Sequence, residues 1–133
     1  MSKANLKGNL HLGKAGEDLA RDFLSARGYR IIARNYRTRS GEIDIIAFDG
    51  PTICFIEVKT RQQARFGAPE EAVQRMKQRH MSRAAIYFLK SKHWLDAPSR
   101  FDVVSIAFTD AQPKISLIQS AFVLDENDEV SDV

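Results

Sequence analysis

Gly41-Glu42-Ile43-Asp44-Ile45-Ile46-Ala47-Phe48 and, beyond Asp49-Gly50-Pro51, Thr52-Ile53-Cys54-Phe55-Ile56-Glu57-Val58-Lys59-Thr60-Arg61 are the residues on which the fold turns. Both runs are rich in Ile, Val and Phe and are bounded by Gly and Pro, the pattern of strands. Asp49-Gly50-Pro51 supplies a turn, so the two runs are expected to form an antiparallel hairpin. Asp44, Glu57 and Lys59 interrupt the apolar runs at positions where a buried strand normally carries Val or Ile. Buried charge is costly unless it is paired or bound to a metal.

Strand alternation places Glu57 and Lys59 on one face. If the turn holds two or four residues, Asp44 shares that face, opposite Glu57 or one diagonal step away. Two carboxylates and an ammonium gathered there suit a hard cation and an activated water. Mg²⁺ takes oxygen ligands and tolerates one or two protein carboxylates. A neighbouring Lys can orient or deprotonate the water, or stabilise developing negative charge. The plainer alternative is a cross-strand ion pair of Lys59 with Asp44 or Glu57. Three charges on one face of apolar strands favour a site.

A chain of 133 residues is long enough for one domain with its own core, and its 44% hydrophobic and 28% charged residues are ordinary for a globular protein. The single cysteine, Cys54, excludes an internal disulfide and a Cys-based zinc site; in a strand it reads as a small core residue. The three histidines, His11, His80 and His93, are too scattered to form a metal cluster. With no apolar run of membrane-spanning length and no signal peptide, the expected location is cytoplasmic, away from membranes. The segment 125–133 holds five of the 17 acids and no basic residue, leaving 20 basic against 12 acidic side chains, or +8, in residues 1–124. A basic body suits a polyanion such as nucleic acid, or is simply a solvated surface.

Outward from the hairpin, the expected organisation is a flexible leader (1–12), one α/β domain (13–124) and an acidic disordered tail (125–133). A helix is expected from about Lys14 to Arg27, with Ala15, Leu19, Phe23 and Ala26 as its apolar stripe, Ala20 and Leu24 widening it, and Gly28 as its stop. Glu17 borders that stripe. Tyr29–Ala33 reads as a strand. The basic connection from Arg34 to Gly41 either holds phosphates or is a solvated loop. Gln62–Ala68 reads as a loop, and Pro69 opens a second helix reaching about Lys90. Its expected stripe is Val73, Met76, Ala84 and Phe88, with Met81 and Ala85 beside them and His80 as a core residue. Lys77 lies at the rim, within reach of the hairpin. Trp94 is expected over a core edge. Phe101–Phe108 and Lys114–Ile118 read as strands, with Asp102 as a cap or a partner of Arg100. The order α-β-β-β-α-β-β implies a mixed sheet flanked by helices, with the second helix crossing between parallel strands.

An acid on the first helix (Glu17), then Gly41-Glu42-Ile43-Asp44, Glu57-Val58-Lys59 and a helix bearing Lys77, resembles the PD-(D/E)-x-K nuclease superfamily. Gly16-Glu17, Asn35-Tyr36-Arg37, Phe55–Arg61, Phe66-Gly67 and Arg100–Val104 further resemble the bacterial YraN-like family, over roughly residues 12–123. The resemblance implies a restriction-endonuclease-like core related to archaeal-type Holliday junction resolvases. It also implies Mg²⁺ or Mn²⁺ held by Glu17, Asp44, Glu57 and the Val58 carbonyl, with Lys59 serving the nucleophilic water. Ile43 departs from the pattern, standing where the superfamily has proline. Lys77 is added to the catalytic set because its helix reaches the same end of the sheet. Arg34, Arg37, Arg39, Arg61, Arg65, Arg75, Arg79 and Arg83 are the expected phosphate contacts, which fix position without reading sequence.

The leading expectation is therefore a metal-dependent nuclease acting on DNA, with weak sequence dependence, a preference for branched or processed structures, and a possible homodimer as in resolvases. The competing expectation is a non-catalytic nucleic-acid-binding module that keeps the fold. A metal-stabilised structural protein is a third.

Overall fold

The computed structural model describes residues 3–61 and 75–123, with side chains from Gly13 onward. Its elements are α1 (Lys3–Ala26), β1 (Arg30–Arg37), β2 (Glu42–Asp49), β3 (Thr52–Arg61), α2 (Arg75–Lys92), β4 (Ser99–Ala107) and β5 (Lys114–Phe122). The strands form one mixed sheet in the order β1-β2-β3-β4-β5. Neighbours are antiparallel except β3 and β4, which run parallel from Ile53↔Ser99 to Arg61↔Ala107. Parallel neighbours need a crossover, and α2 lies on it. This is the restriction-endonuclease-like α/β arrangement that the sequence implied. The expected loop Gln62–Ala68, the helix start at Pro69 and the tail from Asp125 lie outside the described residues.

The β2–β3 hairpin closes on Asp49↔Thr52, leaving Gly50 and Pro51 as a two-residue turn. Gly50 has a φ of 59°, which a side chain would disfavour in the first central position of such a turn. The register runs through Ile45↔Ile56. One further step puts Asp44 directly opposite Glu57.

Each face of the sheet carries a core. Ala20 and Leu24 of α1 pack on Ile45, Ala47, Cys54, Ile56, Val104 and Ile106. Met81, Ala84, Ala85, Phe88 and Leu89 of α2 pack on Ile43, Ile46, Phe55, Phe101 and Val103. Alternation along β2 thus breaks at Ile43, which joins the same cluster as Ile46. Across from Asp44 in the β1 register stands Asn35, whose φ of 53° is left-handed. The two strands are locally distorted where Asp44 leaves the ladder, as strands often are beside functional residues.

Both helices end in the same type of cap. Gly28 (φ 92°) and His93 (φ 61°) take the left-handed position. Tyr29 N–H then donates to the Leu24 carbonyl at 3.0 Å and Trp94 N–H to the Leu89 carbonyl at 2.8 Å. Trp94 packs edge-on against Phe48 and Phe88, at the core edge where the sequence placed it.

Several expected boundaries shift. The backbone is helical from Lys3, so α1 takes in most of the segment read as a leader; no proline interrupts it. The buried centre of α1 is Gly16, Ala20 and Leu24, flanked by Leu19 and Phe23, whereas Ala15 and Ala26 are exposed. Apolar alanines alone did not reveal the rotation, because the innermost position is a glycine. β1 continues through Arg34–Arg37, residues read as a connection, because a sheet edge tolerates polar side chains facing solvent. Tyr36 gains an edge-to-face contact with Phe88 at 5.2 Å. On α2, Met76 is 62% exposed and His80 is also exposed, so the buried stripe begins only at Met81. β5 runs four residues past Ile118.

Candidate active site

Asp44, Glu57 and Lys77 converge in a cavity of about 370 Å³ where β2, β3 and the start of α2 meet. Gly41, Glu42, Met76, His80 and Met81 complete its wall. The close fit of α2 depends on Gly41: a Cβ there would lie 2.7 Å from the His80 carbonyl oxygen. Gly16 acts likewise for α1, since a Cβ would collide with the Thr60 methyl group.

Glu57 is 3% exposed. Lys77 Nζ lies 2.6 Å from its Oε2, so this buried oxygen is held by a single, half-exposed ammonium. Asp44 Oδ2 accepts a 2.8 Å hydrogen bond from Val58 N–H. Burial, then hydrogen bonding to and repulsion from Glu57, push the Asp44 carboxyl up to about 8, against the opposing pull of Val58 N–H and Lys77. For Lys77, burial acts to lower the pKa, but Glu57, Asp44 and Glu42 outweigh it and hold the ammonium above its ordinary range. The pair therefore keeps a proton near neutral pH, the result of burial first and of two carboxylates held side by side second.

Glu17 faces an adjoining groove of about 530 Å³ lined also by Lys14, Asp18, Arg34, Asn35 and Arg37. Burial and the Asp44 charge raise its pKa, while a hydrogen bond from Asn35 and the Arg34 charge oppose the rise. It is thus electrically joined to Asp44 but does not line the same cavity. Among the described residues, no three His, Cys, Asp or Glu side chains come together as a ready metal cage. The donors that do converge are two carboxylates, a set that hard cations such as Mg²⁺ accept with waters filling the other positions. The buried Glu57 carboxylate beside a carboxyl that retains its proton fits such a cation. Lys59 is half-buried and forms no ion pair with another described residue; the partner of Glu57 is Lys77.

The expected phosphate contacts divide. Arg34 donates to Asp18 Oδ1 at 2.8 Å and ties β1 to α1. Arg37 makes a long 3.6 Å pair with Glu42, and Arg37, Arg39 and Arg83 line a cleft beyond the cavity. Arg75 and Arg79 are exposed on the first turns of α2, Arg61 is half-buried, and Arg65 lies outside the described residues. Sequence reasoning missed His80 as a cavity wall and Tyr87 as a cleft residue. Helical spacing contained the signal: Met76, His80, Arg83, Tyr87 and Lys90 recur at intervals of four and three, one face of α2.

On the opposite face of the β3–β4 pair, the α1 side, lies a second buried polar group. Arg100 donates from Nε to Asp102 Oδ1 at 3.0 Å and from Nη2 to Asp49 Oδ2 at 2.6 Å and to Tyr29 Oη at 2.7 Å. Tyr29 Oη donates to Asp102 Oδ2, Gln119 Nε2 donates to Tyr29 Oη, and Ser120 N–H donates to Asp102 Oδ1. Asp102 is thus the partner of Arg100 that the sequence offered as one option. Cys54, beside it, is pushed up to about 12, chiefly by burial, and is an inert thiol.

A mixed five-stranded sheet with one helix on each face, and an acidic pair at the strand distortion, defines a restriction-endonuclease-like α/β protein. The model of the family described as "Uncharacterised protein family UPF0102" matches residues 16–106, and the chain belongs to that family. It is 49% identical over 116 residues to a UPF0102 protein of Geobacter metallireducens, covering 87% of this chain and 95% of the relative. It is 51% identical over 112 residues to one of Symbiobacterium thermophilum, covering 84% and 95%. No helix among the described residues is long and apolar enough to cross a membrane.

Proposed function

We propose that the protein is a divalent-metal-dependent nuclease that hydrolyses phosphodiester bonds in DNA, with Asp44 and Glu57 as cation ligands. The observation that carries this reading is the pair itself: a buried carboxylate whose ion-pair partner is the half-exposed Lys77, facing a second carboxylate pushed up to about 8. Two carboxylates buried side by side are costly unless a cation compensates them.

Asp44 and Glu57 would hold Mg²⁺ or Mn²⁺ with the Val58 carbonyl, and Glu17 would act from the neighbouring groove through its coupling to Asp44. Such an ion, when bound, neutralises phosphate charge and lowers the pKa of a coordinated water. Lys59 is the candidate for orienting the attacking water. Lys77, half exposed, would leave Glu57 for the phosphate as charge on Glu57 is compensated. The exposed basic residues Arg37, Arg39, Arg75 and Arg79 supply sequence-independent attraction to the backbone.

Purified protein with Mg²⁺ or Mn²⁺ is expected to nick or cleave at least one of linear, flapped, single-stranded and four-way DNA. Glu57→Ala and Lys59→Ala, folded as wild type, are expected to lose that activity. A Glu57→Ala/Lys59→Ala protein that cleaves as well as wild type removes the assignment. The Lys77–Glu57 contact favours one second reading, a nucleic-acid-binding module whose acidic pair is neutralised internally. That module would bind DNA with steep salt dependence and turn over with no divalent ion.

A further inference from the structure

The outer face of α2 and the β1–β2 loop enclose a cleft of about 640 Å³ beside the acidic cavity. We propose that this cleft binds an unpaired stretch of a polynucleotide strand, with Tyr87 as the platform on which a base stacks. The proposal deepens the nuclease reading by naming the substrate class.

Tyr87 is 63% exposed, although Ala84, Ala85, Ile86, Phe88 and Leu89 around it are all buried. Its ring therefore contributes little to the core and lies open in the cleft. Arg37, Arg39, Arg83 and Lys90 line the same cleft, and among the described residues no acidic side chain does. The pairing of Arg37 with Glu42 is a long, exposed contact and is worth little in water. An aromatic ring surrounded by cations is the arrangement that binds single strands: the cations follow the phosphates, and the ring stacks a base. A duplex buries its base faces in its own stack and offers a ring nothing to stack on.

The floor of the cleft is rigid. Thr38 N–H donates to the Gly41 carbonyl at 2.8 Å, and Thr38 Oγ1 accepts from Ser40 N–H and Gly41 N–H at 3.1 Å each. Arg39 is thus carried on a fixed turn, so little is lost in ordering it on a ligand. The cleft is also continuous with the acidic cavity. Ser40 in one adjoins Gly41 in the other, and the α2 face running Met76, His80, Arg83, Tyr87 and Lys90 crosses both. Lys77 and Tyr87 are ten residues apart on α2. That is about 15 Å along the axis, within the reach of a few nucleotides of an unpaired strand. A base held on Tyr87 would place a scissile phosphate a few nucleotides away at Asp44 and Glu57.

The test measures fluorescence anisotropy of labelled oligonucleotides in EDTA, where no cleavage occurs, using wild type, Tyr87→Ala and Tyr87→Phe. Probes are a single-stranded DNA, a single-stranded RNA and a blunt DNA duplex of equal length. Tyr87→Ala is expected to weaken single-strand binding by about 5- to 100-fold, with Tyr87→Phe within about threefold of wild type and duplex binding unchanged. Whichever single strand shows the larger loss identifies the sugar. Equal single-strand binding by wild type and Tyr87→Ala overturns the proposal, as a tyrosine serving a protein interface would show. So does an equal loss on duplex, or a Tyr87→Phe protein as weak as Tyr87→Ala. Because the measurement needs no metal, Tyr87-dependent binding by a protein that cleaves nothing would sink the nuclease reading and leave the cleft standing. Cleavage with Tyr87-independent binding would do the reverse.

Discussion

The parallel pair β3–β4 has a buried charged group on each face, Glu57 toward α2 and Asp102 toward α1, and the two groups differ in balance. Around Arg100, every charged member meets an aligned partner: Asp102 accepts from Arg100, Tyr29 and Ser120, and Asp49 takes a second guanidinium N–H. Around Glu57, two carboxylates share one backbone N–H and one half-exposed ammonium, and Asp44 keeps its proton up to about 8. Burial of charge alone therefore does not mark a functional site. The mark is an excess of one sign that the fold leaves uncompensated.

The comparison is sharpened first at the satisfied group. Arg100→Ala strands Asp102, which is 0% exposed, so a loss of about 3–5 kcal/mol is expected in chemical denaturation. A loss below about 1 kcal/mol would show that the network is ornamental and would break the contrast. Gly41→Ala comes next, because its Cβ would press on the His80 carbonyl. Overpacking of about 1–3 kcal/mol is expected, together with weaker metal binding as α2 is pushed from the cavity.

The unsatisfied group predicts an opposite sign. The folded-state pKa of Asp44 is raised to about 8 from an ordinary 3.8. Its contribution to stability is therefore complete below the unfolded value and is lost as pH rises through about 8. Asp44→Asn, a permanent mimic of the protonated acid, should match wild type near pH 4 and melt above it at pH 8 in metal-free buffer, by about 5 °C. A constant difference across that range would contradict the shift. The smallest effect is expected for Arg34→Ala, whose partner Asp18 is solvated: a denaturation midpoint barely moved from wild type.

Much of this was legible in the chain. Ile-, Val- and Phe-rich runs around Asp49-Gly50-Pro51 gave the hairpin, and the second helix between Arg61 and Phe101 gave the parallel crossover. Asp44 and Glu57 stood out because charge inside an apolar strand needs a reason. What stayed hidden depends on rotation and on distant partners. The inner line of α1 passes through Gly16, which hydropathy does not count, and His80 looks like a stripe residue until α2 is seen to turn inward only at Met81. Asp49 reads as a turn residue because its partner Arg100 is 51 positions away. Glu17 was expected in the same cavity as Asp44, and its place in the next groove follows from how closely Gly16 seats α1 on Thr60.

The central claim, that the uncompensated group is made for a cation, is tested most directly by melting without nucleic acid. Wild type and Asp44→Asn/Glu57→Gln are heated at pH 7.5 with and without excess Mn²⁺. Binding at a hundredfold excess over Kd stabilises by about 2.7 kcal/mol, so the wild-type Tm should rise by several degrees while the double variant does not move. An equal rise in both proteins, or none in wild type, would contradict the account.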